Sequence, residues 1–187
     1  MKNIILASKS PRRKELLELL DLNFTVEVRE VNEVFSESLE VDKVAEYLAK
    51  LKAAAFTNIP TDQIIITADT VVVLDKQILG KPKDKTEATK MLQSLSNRSH
   101  HVITGVCMKS KDKTISFSNT TKVFFKELTS SEIEYYIENY KPFDKAGSYG
   151  IQEWIGATGI TKIEGSYFNV VGLPIQELNE QLLTGNF

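Results

Sequence analysis

Residues 63–74, QIIITADTVVVL, constrain this chain more than any other stretch. Ile, Val and Thr crowd both halves, and β-branched side chains of that kind suit a pleated, buried strand. Between the halves sit Ala68, Asp69 and Thr70. A carboxylate among such neighbours is costly unless it is hydrogen-bonded, paired with a cation or placed on a metal. Sites in α/β sheets gather at strand ends. Asp69 is therefore the first candidate for chemistry, against the alternative of an aspartate that ends a strand and caps a turn.

Strand and helix patterns alternate around this segment. Residues 4–6 form a short apolar strand, and 11–20 a helix with Ser10 as N-cap and Pro11 in its first position. Residues 24–30 alternate like a half-exposed strand. In 41–56, Val44, Leu48, Leu51 and Ala55 recur with helical spacing, and 58–60 end the helix. Residues 75–85 turn the chain back. Ala88, Met91, Leu92 and Leu95 share one face of a helix over 86–95. Residues 101–109 and 114–125 read as a hairpin joined by Lys-Asp-Lys, and 129–138 as a helix capped by Thr129 or Ser130. Residues 140–154 are irregular and rich in glycine, 160–163 strand-like, and 174–183 a closing helix. The pattern predicts an α/β fold with a mixed sheet, in one domain over 1–187.

Composition removes several function classes. The net charge is -2 and the pI about 5.8, which disfavours broad nucleic-acid binding. Cys107 is the single cysteine, so neither an intrachain disulfide nor a cysteine zinc cluster can form, and its apolar surroundings suit a buried residue. His100 and His101 are adjacent in a strand and face opposite ways, which rules against a two-histidine metal clamp. No run reaches the ~20 apolar residues of a membrane span, and the start of the chain lacks a signal-peptide pattern; a soluble, cytoplasmic protein is expected.

The segment 6–20, LASKSPRRKELLELL, adds an electrostatic puzzle. A helix N-terminus already carries partial positive charge, yet Arg12, Arg13 and Lys14 fill the first turn. Free backbone N–H groups there form an anion site, Ser8 and Ser10 add hydroxyls, and the arginines add forks that match phosphate oxygens. A polyphosphate partner would resolve the crowding; the alternative is pairing with Glu15 and Glu18 or exposure to water. Lys81 lies in a rigid Gly-Lys-Pro turn that is not a Walker A loop, because Pro82 stands where Ser or Thr is needed. Lys52 sits at the edge of the apolar stripe of helix 41–56. Glu33, in the acidic loop 31–40, could offer a second carboxylate to a magnesium ion. Two Gly-Ser-Tyr triplets begin at Gly147 and Gly165, and Gln152 carries the donor and acceptor that suit the polar edge of a base.

Taken in order, Ser8–Arg13, Ala68-Asp69-Thr70, Gly80-Lys81-Pro82, Ala146–Gln152 and the run from Ile163 to Pro174 resemble the Maf family of nucleoside triphosphate pyrophosphatases over essentially the whole chain. The resemblance implies an ITPase-like mixed α/β fold with two lobes around a central cleft. It implies hydrolysis between the α and β phosphates, giving a monophosphate and pyrophosphate, with a divalent cation (Mg²⁺, Mn²⁺ or Co²⁺). It further implies a cytoplasmic protein, often a homodimer, with links to septum formation and the cell-division machinery. Arg12 and Thr70 match the branch that prefers dTTP and UTP; the other branch, with Tyr and Gln at those places, prefers 7-methyl-GTP. On this footing Asp69 is the general base and a metal ligand, Glu33 the second ligand, and Lys52 and Lys81 neutralise phosphate charge. Ser8, Ser10, Arg12 and Arg13 cradle the triphosphate, while Arg12, Thr70 and Gln152 choose the base. Thr67 departs from the family, where Gly is common. The competing readings are a nucleotide-binding regulator without turnover, and a nucleic-acid binder using Arg12, Arg13, Lys52 and Lys81 as a basic groove.

Overall fold

Strand β3, Gln63–Leu74, runs for 12 residues straight through Asp69 rather than breaking there. Its apolar residues are buried on both sides of the interruption, and only Asp69, Thr70 and the first residue, Gln63, are partly exposed. Asp69 is thus a mid-strand carboxylate, not the terminal residue of a strand. The computed structural model describes residues 2–184 and 187. Strand β1 (Asn3–Leu6) lies parallel to β3 on one side and to β2 (Phe24–Val26) on the other. The seven-stranded mixed sheet has the order β2-β1-β3-β5-β6-β7, with β5 at Ser99–Lys109, β6 at Thr114–Phe125 and β7 at Ile160–Glu164. Strand β4, Gln77–Leu79, pairs antiparallel with the end of β3 inside the segment expected only to turn back.

The helices are α1 (Pro11–Glu18), α2 (Val41–Ala54), α3 (Lys85–Leu95), α4 (Ser130–Tyr140), α5 (Trp154–Gly159), α6 (Tyr167–Val171) and α7 (Ile175–Thr184). Ser10 caps α1 by accepting from the Arg13 N–H. Thr129, not Ser130, caps α4, through a reciprocal capping box with Glu132. Strand β2 stops at Val26, well short of residue 30, and α1 and α2 each end two residues early. Helices α5 and α6 fall in glycine-rich sequence that shows no apolar period. A Cβ at Gly156 would lie 1.8 Å from the Ile151 carbonyl oxygen, so that helix is specified by close backbone contact rather than by a hydrophobic stripe.

The chain forms two compact units: Met1–Thr70 with Thr104–Asn119 and Gly172–Phe187, and Val71–Ile103 with Thr120–Val171. In the first, Ile5, Ala7, Phe56, Ile59 and Ile65 pack together, and Ala49 and Ala53 of α2 pack on Cys107. Burial pushes the Cys107 thiol up to about 11, in keeping with an inert core residue. In the second, Leu92 and Leu95 of α3 and Ile133, Tyr136 and Ile137 of α4 share a core with Val123, Phe125 and Tyr149.

The contact of α2 with β5 positions the site. The buried face of α2 is Val44, Ala45, Leu48, Ala49 and Ala53, rotated from the expected stripe toward the alanines. Gly105 is the cause: a Cβ there would stand 2.2 Å from the backbone nitrogen of Glu46. Small residues on both elements bring helix and strand into near backbone contact. Lys52 lies three and four positions from Ala49 and Leu48, so the rotation brings it onto the sheet-facing side.

Candidate functional site

Asp69 meets its charge partner from α2. The Lys52 ammonium donates to Asp69 Oδ1 at 2.5 Å and stands 3.2 Å from Glu33 Oε2. The Lys52 and Asp69 side chains are 17% and 15% exposed, whereas Glu33 is 48% exposed. One cation thus faces two carboxylates, and the Arg13 guanidinium lies within electrostatic reach of both. Thr67 supports this geometry: its buried hydroxyl donates to the Ala49 carbonyl of α2 at 2.7 Å, two residues from Asp69 on the same strand. Thr67 thus ties β3 to the helix that carries Lys52.

The donor chemistry suits a hard cation. Among the described residues no group of three or more His, Cys, Asp or Glu side chains is arranged to hold a metal. Asp69 and Glu33 nevertheless provide two carboxylates, and magnesium is commonly held by one or two such groups with water and phosphate oxygens completing the shell.

The turn from β1 into α1 is organised around Arg13. Its Nε donates to the Gly172 carbonyl at 2.8 Å, Nη2 to Thr70 Oγ1 at 3.0 Å, and Nη1 to Ser8 Oγ at 3.4 Å. Ser8, itself buried, also accepts from the Ser10 N–H. Thr70 Oγ1 lies 2.9 Å from Thr104 Oγ1. Burial lowers the Arg13 pKa, the field of Asp69 opposes that shift, and Arg12 adds to it. Much of the charge puzzle of α1 is therefore answered inside the protein. Arg13 is held by a carbonyl and two hydroxyls, and Lys14 stands 3.7 Å from Glu18 in the alternative foreseen for it. Arg13 and Thr70 form the frame of this turn, and Arg12 is only partly buried.

Ser8, Ser10, Arg12, Arg13, Glu33, Lys52, Asp69 and Thr70 all belong to the first unit, and Lys81 and Gln152 to the second. Lys81 is exposed, in a turn anchored by buried Pro82 and by the Gly147 N–H, which donates to the Gly80 carbonyl at 3.1 Å. Gln152 is exposed directly after buried Ile151. Sequence reasoning passed over Thr67 as a support and over Tyr136, Lys145 and Glu153, which surround the Gln152 turn. Nothing in their spacing marks them, since residues 136 and 153 meet only through the fold.

The Maf-like protein family model matches residues 3–184. The chain belongs to the Maf-like family. This Maf-like chain is 52% identical over 185 residues to a dTTP/UTP pyrophosphatase of Flavobacterium psychrophilum, covering 98% of this chain and 95% of that protein. It is 53% identical over 180 residues to a dTTP/UTP pyrophosphatase of Christiangramia forsetii, covering 96% and 92%. Among solved structures, the Staphylococcus aureus Ham1 protein superposes with a TM-score of 0.50 at 18% identity, over 66% of this chain and 72% of that one. That likeness concerns the fold alone, a mixed α/β architecture.

Proposed function

We propose that this Maf-like chain is a nucleoside triphosphate pyrophosphatase that hydrolyses dTTP and UTP to the monophosphate and pyrophosphate. The observation that carries the reading is the Lys52–Asp69–Glu33 group in a chain sharing about half its residues with dTTP/UTP pyrophosphatases. Water attacks the α-phosphorus, the bond to the bridging oxygen breaks, and pyrophosphate leaves with the electron pair. Asp69 takes the proton of the attacking water. Lys52 holds that carboxylate in one orientation, so the base is in place before substrate arrives. A divalent cation held by Asp69 and Glu33 would supply charge neutralisation on the phosphate oxygens.

The β1–α1 turn, with Ser8, Ser10, Arg12 and Arg13, offers hydroxyls and cationic forks to the triphosphate, and Arg13 also keeps the turn in shape. Lys81 adds positive charge for the leaving pyrophosphate. Arg12, Thr70 and Gln152 select the pyrimidine, and Gln152 reads the O4 and N3–H edge. A site that hydrogen-bonds a base edge discriminates strongly, because a wrong base leaves buried polar groups unpaired. The wider reading includes a cytoplasmic setting, pairing with a second copy, a link to cell division and no nucleic-acid partner; the net charge of -2 supports the last of these.

The test is pyrophosphate release from dTTP, UTP, CTP, purine triphosphates and 7-methyl-GTP with Mg²⁺ or Mn²⁺. Release confined to dTTP and UTP, and lost in Asp69→Asn, is the expected result. Release only from 7-methyl-GTP would overturn the base assignment, and tight binding without release would make the protein a regulator.

A further inference from the structure

Gln152 is exposed and carries a flexible side chain, so whatever it recognises depends on how firmly its backbone is held. That backbone is gripped by a polar cluster with no part in the chemistry proposed above. The Tyr136 hydroxyl, on α4, accepts from the Gly150 N–H at 3.0 Å and donates to Glu153 Oε2. The same Glu153 pairs through Oε1 with Lys145 Nζ at 3.1 Å, and Lys145 also donates to Asp144 Oδ1 at 2.7 Å. The Glu153 N–H closes the turn onto the Gly150 carbonyl at 3.1 Å. Gly150 and Glu153, on either side of Gln152, are therefore fastened to one hydroxyl. Tyr136 is fully buried, and the Lys145 side chain is only 9% exposed.

Packing alone does not call for this arrangement. A buried lysine–glutamate pair is weak evidence for stability, and its best-attested use is to specify one arrangement over others. The carboxylate also packs against backbone: a Cβ at Gly150 would lie 2.9 Å from the Glu153 carboxyl carbon. A turn so constrained has one position for the two residues between its anchors, Ile151 and Gln152.

We propose that Tyr136, Glu153 and Lys145 are positioning residues for Gln152, and that this cluster sets the selectivity for the nucleobase. The inference rests on the reading of Gln152 as the residue that meets the base. A turn held in one place presents the amide at the distance a pyrimidine edge requires. A loosened turn lets the amide retreat and admits a larger base.

The experiment is kcat/KM for UTP and for GTP in Tyr136→Phe, Glu153→Gln and Gln152→Ala, with melting temperatures for each. Losing the bridging hydroxyl or the carboxylate charge should lower the UTP-to-GTP ratio roughly tenfold, the equivalent of one hydrogen bond of about 1.4 kcal/mol. KM for UTP should rise more than kcat falls. A drop in melting temperature with the ratio unchanged in both cluster variants would make the cluster merely structural and overturn the inference. Should Tyr136→Phe fail to fold, Glu153→Gln decides alone, because it keeps shape and an acceptor. A changed ratio in Gln152→Ala with none in the cluster variants sinks only this inference. An unchanged ratio in Gln152→Ala sinks the reading of Gln152 and the inference with it.

Discussion

Each unit shields a lysine between carboxylates, and the two groups differ at their edges. In the first, Lys52 and Asp69 are mostly covered, but Glu33 is half in water and meets Lys52 through one oxygen. In the second, Glu153 is 19% exposed and is engaged by Lys145 through one oxygen and by the Tyr136 hydroxyl through the other. A carboxylate with an open side can exchange its partner for a cation or a phosphate-bound ion. One engaged on both oxygens and largely closed to water is better suited to holding backbone in place. On the reading proposed, similar residue types serve chemistry in one place and placement in the other, and the difference lies in which carboxylate meets solvent.

The largest effect expected from this contrast is on turnover. Asp69→Asn should lower kcat roughly a thousandfold, since it removes the base without changing shape, and thermal melting should shift little. Activity near wild type would break the assignment of the first group to chemistry.

Stability should show the opposite ordering. Lys145→Met leaves Glu153 charged and short of a cation in a closed setting, and should destabilise the fold by about 3 kcal/mol in denaturant titration. Lys52→Met should cost less, because the Arg13 guanidinium stays within electrostatic reach of Asp69 and water can reach Glu33, yet it should reduce activity far more. Equal stability losses would erase the distinction between the two groups.

A third effect concerns acid. His100 is buried against Tyr149, its Nε2 2.6 Å from the hydroxyl. Burial, with a smaller contribution from His101, lowers its pKa from 6.5 to about 3. The unfolded chain therefore takes up the proton first, and stability present above 6.5 is lost as pH falls toward about 3. Within that window the loss attributable to His100 is about 1.4 kcal/mol per pH unit. His100→Phe should remove this component from the pH dependence of the urea midpoint. An identical slope in the variant would show that the imidazole is not held neutral.

The smallest effect is expected at the surface. Lys85 bridges Glu134 and Glu138 in full view of solvent. Lys85→Ala should leave the melting temperature unchanged, because exposed ion pairs are screened and hold long side chains in place at an entropic cost. A clear drop would mean that pairs of charges matter here regardless of burial.

Much of the site is legible in the residues themselves. Asp69 stands out because an acid in a β-branched run demands an explanation. Ser10 and Pro11 mark the start of α1, and Glu33 is singled out as a second carboxylate; Lys52 is expected to meet phosphate, and its pairing with Asp69 appears only in the fold. The clamp on Arg13 is not legible. Its partners Ser8, Thr70 and Gly172 come from well-separated parts of the chain, and only the parallel pairing of β1 with β3 brings the first two together. Nor is the unbroken path of β3 through Asp69, because local polarity suggests an interruption that pairing on both flanks overrides. The face of α2 is misjudged by one position, since side-chain size at Gly105, not hydrophobicity on the helix, sets how close the two elements come.

Residue order alone was enough for the longer strands and helices, the cap of α1, the family and the identity of the charged candidates, because periodicity and capping are local and act within a few residues. The direction in which each charge points depended on folding. Lys52 reaches Asp69, Arg13 turns inward and Glu153 closes on Tyr136 because desolvation makes an unpaired polar group costly, and its partner is whichever group the sheet and helices carry within about 3 Å.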